Sequence, residues 1–357
     1  MKKSNNLFKN KSIEKKVRSK RFWRTKRKPR PPHVKERLGR EKNTLFMPES
    51  IGLHQSRDET LRIVSRIRGM ADTEAGTLVL DFTRTTRVIA DGMILVLAAI
   101  DMVVNKTKRT CVRIKNVRSD KVAQVIKQIG LSEKLGVLKD VTVNRNDVNF
   151  WHHVSRSEVD AESAADHFDR LCRETPMSED DRWFLFNAFS EAIDNAHSHA
   201  YDSRMISEIG AEGSFPDDKR WWMFSGVDAG YLIVLVCDLG LGIPTTVTRK
   251  GWWEPVREKI LARFGAEDEG KIVAATIEHA RSRTGESYRG KGMSRLKMAI
   301  EQMGRGRLLI YSNKGCYSFG PEGEKTGVPS VETTKDYSAS INGTVVFWQV
   351  PIQSIAA

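Results

Sequence analysis

Apolar residues set the rhythm of the chain. Leu78-Val79-Leu80 is a short apolar run ending in Asp81-Phe82, and it predicts a buried strand. Gly92 to Val104 is rich in aliphatic residues and long enough for a buried helix. Val112 to Ile114 predicts a further strand, and Val122, Val125, Ile126 and Ile129 then recur at helical spacing. This alternation argues for an α/β layer fold over residues 43–150. The polar stretch Trp151 to Glu174, with spaced apolar positions, reads as a connecting helix or the first helix of a last domain.

A stronger helix signal follows. Ser178-Glu179-Asp180-Asp181 has a Ser cap and acids in the first turn. From there Leu185, Ala188, Phe189, Ala192, Ile193 and Ala196 form one apolar stripe. Asn187, Glu191, Asn195 and His199 are spaced by four and share another face. An amide oxygen suits Mg²⁺, which keeps several waters and bridges phosphate oxygens. A carboxylate one turn away can orient or deprotonate a nucleophile. The plainer alternative is an ordinary surface stripe.

Tyr231 to Cys237 predicts a strand that runs into Asp238-Leu239-Gly240-Leu241-Gly242-Ile243-Pro244. This sets a carboxylate beside a sharp turn, where it can accept a hydrogen bond from an adenine amino group. The glycines let the backbone approach a planar base. After a polar stretch comes Arg289-Gly290-Lys291-Gly292-Met293, whose backbone N–H groups and Lys291 suit phosphates. Strand patterns at Leu308–Ser312 and Gly343–Pro351 close the chain. Trp221-Trp222 is expected in a core, and Trp252-Trp253, in a polar stretch, is a candidate partner contact.

Charge changes the picture at one end. Residues 1–42 hold 18 Lys and Arg against 3 Asp and Glu, a charge of +15, whereas the other 315 residues hold 41 and 42. The body is therefore nearly neutral and carries a basic arm. With few aliphatics, the arm is expected to be disordered when free. It can bind nucleic acid by releasing counterions, with Phe22 and Trp23 able to stack on bases; a solvated tail is the bland alternative. No stretch approaches the ~20 apolar residues of a membrane span, and no membrane partner is expected. The four cysteines stand far apart without a CxxC pair, so neither a disulfide framework nor a zinc site is indicated, and a cytoplasmic location is expected.

Two resemblances bring these motifs together. Thr77–Asp101, reading TLVLDFTRTTRVIADGMILVLAAID, resembles a STAS domain, the fold of anti-sigma-factor antagonists. That family's phosphate-accepting Ser is here Asp91, which reads either as a phosphoserine mimic or as a helix cap. Ser190–Tyr201 (SEAIDNAHSHAY), DLGLGIP, RGKGM and GTVVFWQVP stand in the order of a GHKL ATP-binding domain, most similar to anti-sigma-factor serine kinases.

The resemblance implies an α/β (α+β) protein with three parts. These are a disordered arm (1–42), a STAS-like domain (43–150) and a GHKL two-layer sandwich with a mixed sheet (151–357). It implies ATP and Mg²⁺ as cofactors, Glu191 as general base or orienting residue, and Asn195 as Mg²⁺ ligand. Asp238 would read the adenine amino group, with Gly240 and Gly242 framing the base. Gly290, Lys291 and Gly292 would cover the phosphates, and Thr344 completes the binding set. Residues 245–288 would be a mobile lid. The implied function is an ATP-binding regulatory protein that phosphorylates a protein Ser/Thr or switches a protein partner. The alternatives are an ATP hydrolase, or a nucleotide-gated module binding nucleic acid through its arm. A homodimer is compatible with either.

Overall fold

The computed structural model describes residues 43–72, 76–106, 111–145, 148, 152–156, 166, 168–169, 172–173, 175–211, 214–264, 268–282, 292–321 and 329–352. The basic arm lies outside the described residues. The rest mixes helix and strand in two stacked units.

In the first unit, β1 (Thr44–Phe46), β3 (Thr77–Asp81) and β5 (Cys111–Lys115) form a parallel sheet in the order β1-β3-β5. β2 (Ser50–Ile51) pairs in parallel with β4 (Arg87–Val88). The apolar run Leu78-Val79-Leu80 is buried throughout, as a central parallel strand requires. The helices are α1 (Arg57–Gly69), α2 (Ala90–Lys106), α3 (Asp120–Gln128) and α4 (Leu131–Leu135). Ser119 caps α3 by accepting the Val122 N–H.

The second unit contains β6 (His152–Arg156), α5 (Glu179–His199), α6 (Ser203–Ile209), β7 (Trp221–Asp228) and β8 (Tyr231–Asp238). Then come α7 (Ile243–Val247), α8 (Trp253–Phe264), α9 (Glu269–Ser282), α10 (Gly292–Met303), β9 (Arg307–Ser312), β10 (Gly315–Pro321), β11 (Ser330–Asp336) and β12 (Thr344–Pro351). Its seven strands lie in the order β11-β10-β9-β12-β8-β7-β6. Helices α5, α9 and α10 cover one face.

The first unit covers the other face. Every residue of α2 from Ala90 to Val103 is buried, and a helix apolar all round needs cover on all sides. Helix α1 supplies some of it, and β7 and β8 supply more. The consecutive Trp221 and Trp222 therefore enter different cores. Trp221 packs with Phe189 and Trp348 under the helices, while Trp222 packs with α2. Each such large side chain contributes roughly 1.5–3 kcal/mol by leaving water. A polar tie crosses the same junction. Buried Asp101 of α2 accepts the Trp222 indole N–H at 2.9 Å and the Ser155 hydroxyl at 3.1 Å, and it pairs with Lys134. Ser155 in turn accepts from Arg220 at 2.8 Å.

Several expectations change. The sheet is antiparallel at each of its pairings and not mixed. The helical crossover from β8 does return β9 in parallel, but β12 inserts between the two and runs against both. The helix expected from Trp151 opens instead with strand β6, paired to β7. The back of the large sheet joins α2 in one buried cluster, beside the second unit's own core under its helices. Much of the expected lid is helix: α9 packs on β10 and α10. Trp253, expected at a partner contact, is 1% exposed in a small core with Val247, Ile260 and Ile272. Among the described residues, no helix is long and apolar enough to cross a membrane.

Candidate functional site

Helix α5 begins where the sequence signals, with the Ser178 hydroxyl accepting the Asp181 N–H at 3.1 Å. Its apolar stripe, Leu185 to Ala196, is buried against the sheet. That orientation turns Glu191, Asn195 and His199 along one edge. Asn195 Nδ2 donates to Glu191 Oε1 at 3.3 Å, so the Asn195 carbonyl oxygen remains to accept or ligate. Arg295 of α10 donates to Glu191 Oε2 at 3.3 Å. Burial pushes the Glu191 carboxyl above its ordinary range, and the Arg295 charge opposes that shift.

Asp238 ends β8, in register with Trp221 on one side and Thr344 on the other. The Gly240 N–H donates to its Oδ1 at 2.9 Å. Burial raises its carboxyl to about 7, against hydrogen bonds from Gly240 and Thr344 and the charge of Arg68. The chain then turns sharply. A side chain at Gly240 would strike the Ala200 carbonyl, which accepts the Leu241 N–H at 2.8 Å. Gly240 therefore packs on the end of α5. Gly242 has φ +77°, and a Cβ there would meet the Asn313 amide at 2.5 Å. The Tyr201 hydroxyl donates to the Arg220 carbonyl at 2.5 Å and accepts the Leu239 N–H at 3.0 Å, fixing the same turn.

These elements form a cleft that is partly open to solvent. Asn195, His199, Asp238, Gly242 and Thr344 all line it. Ala192, Val236, Met293, Leu296 and Val346 give it apolar walls. A buried acceptor between apolar walls suits a flat heterocycle bearing an amino group. Glu191 stands one turn beyond Asn195, against Gly292, where a Cβ would lie 1.8 Å from its Oε1. Gly292 thus meets the carboxylate at the start of α10. Gly290 and Lys291, expected on phosphates, lie outside the described residues. Burial and the nearby Lys250 charge hold the His199 imidazole below its ordinary range.

Sequence reasoning missed three members of this arrangement. Arg295 pairs with Glu191 from a helix 104 residues away. Asn313, in the β9–β10 turn, holds the glycine turn by donating to the Leu241 carbonyl at 2.9 Å and to Thr245 Oγ1 at 3.1 Å. Ser312 accepts the Ile243 N–H at 2.8 Å and lies 3.0 Å from the Thr344 hydroxyl. The sequence Ser312-Asn313-Lys314-Gly315 is a hairpin-turn signal, but nothing local points it at the cleft. Among the described residues, no cluster of three or more His, Cys, Asp or Glu could hold a metal. A hard cation would take Asn195 plus oxygens of a ligand and water.

No protein-family model matches this chain, and no curated protein sequence matches it.

Proposed function

We propose that this cleft binds ATP with Mg²⁺, in the manner of the GHKL proteins that the sequence resembles, and that the chain is a nucleotide-dependent regulatory protein. One observation carries the reading. Asp238, 6% exposed, stands at an apolar cleft whose rim brings Asn195 and Glu191 together, one turn apart. The residues fit the group: a carboxylate acceptor for an amino-purine, apolar walls for its faces, and an amide oxygen for Mg²⁺. Bound Mg²⁺ would offset phosphate charge.

The chain's own residues would divide the remaining work. Asp238, once ionised, accepts the exocyclic amino hydrogen. Gly242 keeps the turn free of a side chain, and Thr344 fixes the Asp238 carboxylate. Glu191, held by Asn195 and Arg295, orients or deprotonates the attacking hydroxyl, of a protein Ser/Thr or of water. The acceptor is not the STAS-like unit's own position 91. Asp91 is 3% exposed, it accepts the Leu53 N–H at 3.1 Å, and its charge acts on Arg57 and Tyr311 at the back of the sheet. It is therefore tied into the junction between the units.

Thermal unfolding with Mg-ATP and Mg-GTP tests the reading. ATP is expected to raise the Tm and GTP not, because its 6-oxo group would face the carboxylate; Asp238→Asn removes the preference. Equal shifts with both nucleotides, or a preference that survives in the variant, contradict it.

A further inference from the structure

Arg57 and Arg68 stand three turns apart on α1 and so share a face. Both reach across to the pocket end of the large sheet. Arg57 is 3% exposed, and its Nη2 donates to the main-chain carbonyls of Asn313 and Ala339, each at 3.3 Å. Its guanidinium lies 4.1 Å from the Tyr337 ring centroid. Arg68 donates to the Asn342 carbonyl at 3.0 Å, and its charge acts on Asp238.

The turns these arginines hold are those that shape the cleft. The Asn313 carbonyl also accepts the Ile341 N–H at 2.9 Å, and its N–H donates to Gly343 at 3.0 Å. The Asn313 side chain grips Leu241 and Thr245 on one side, and on the other it accepts the Gly343 N–H at 3.3 Å. Gly343 immediately precedes Thr344. One residue therefore joins α1, the glycine turn and the head of β12. A charged donor held away from water makes a stronger bond than a neutral one, so removing it frees the Asn313 turn at its most constrained point.

We propose that the docked N-terminal unit is a built-in positive regulator of the cleft: α1, through Arg57 on Asn313, positions the 241–245 turn and Thr344. Nucleotide occupancy and docking of α1 then strengthen each other, since coupling between sites is reciprocal. A protein partner that draws α1 off the sheet lowers nucleotide affinity. Arg57 is a positioning residue in this scheme and touches no ligand. The proposal rests on the nucleotide reading given above.

Full-length chains carrying Arg57→Ala, Arg57→Lys, Asn313→Ala and the Arg57→Ala/Asn313→Ala pair test it. Two quantities are measured: Mg-ATP affinity by calorimetry, and hydrogen exchange over residues 57–69 with and without Mg-ATP. Arg57→Ala and Asn313→Ala are each expected to weaken binding about tenfold. Arg57→Lys should recover part of the loss, and the pair should lose little more than either single change. Mg-ATP should slow exchange over 57–69 in the unaltered chain but not in Asn313→Ala. Unchanged affinity in the single variants, additive losses, or exchange indifferent to Mg-ATP overturns the proposal. If Arg57→Ala does not fold, Asn313→Ala and the exchange measurement decide it. No Mg-ATP binding by the unaltered chain overturns the nucleotide reading and this coupling with it. Binding that ignores Arg57 and Asn313 overturns the coupling alone.

Discussion

The Trp222 indole N–H lies 2.9 Å from Asp101 Oδ2, joining residues 121 positions apart in two different units. Around them, α2 and the back of the seven-stranded sheet form a single core. Trp222→Phe should cost about 2 kcal/mol, from the lost bond to a buried carboxylate and the space left behind. The loss should shift one cooperative urea transition. Two separate transitions, with only one displaced, would show that the units are energetically independent.

Gly292 faces Glu191 so closely that a methyl group cannot fit without moving the carboxylate. The atom a methyl would strike is the far end of the Glu191 side chain, which can swing aside, so Gly292→Ala should fold with that carboxylate displaced. Steady-state phosphate transfer or release should fall by at least about tenfold, as misplaced catalytic groups do, while Mg-ATP affinity changes less. Full turnover in this variant would remove Glu191 from the chemistry.

Much of this site is legible in the sequence because its signals are local. The α5 stripe and its Ser178 cap, the strand ending in Asp238 and the β12 head at Thr344 all fall where periodicity and turn chemistry put them. The missed parts are non-local. Nothing near β8 or β9 announces that β12 will insert between them. Arg295 and Asn313 reach the site only through tertiary packing. One clue to the third layer was present: Leu232 to Cys237 is apolar without alternation, and α2 is apolar all round. Both patterns mean cover on two sides. The lid reading failed on α9 because a polar stretch can still bury one stripe, here Ile272, Val273 and Ile277.

Asp238 should make stability depend on pH. Burial lifts its carboxyl from 3.8 in the unfolded chain to about 7. Between those values the native state holds a proton that the unfolded chain has released, so its contribution falls as pH rises through that window. Asp238→Asn removes the term. Urea titrations should show the variant gaining on the unaltered protein between about pH 4 and pH 7. A difference that does not vary with pH would place the carboxylate in a wetter site.

Arg295 opposes the effect of burial on Glu191. Burial raises the Glu191 carboxyl, and Arg295 is the first charge opposing it. Arg295→Ala should raise it further, moving the acid limb of the pH–rate profile to higher pH. Glu191→Gln should abolish turnover while leaving nucleotide binding in place. An acid limb that stays put in Arg295→Ala would assign it to another group.

The central claim is that Asp238 reads a nucleotide in the cleft beside α5. Calorimetric titration of Mg-ATP into the intact chain and into Asp238→Asn measures it directly. One site is expected in the intact chain, with affinity lower by at least about tenfold in the variant, the scale of one lost hydrogen bond to a charged group. No heat from the intact chain, or equal affinity in both, would contradict the account.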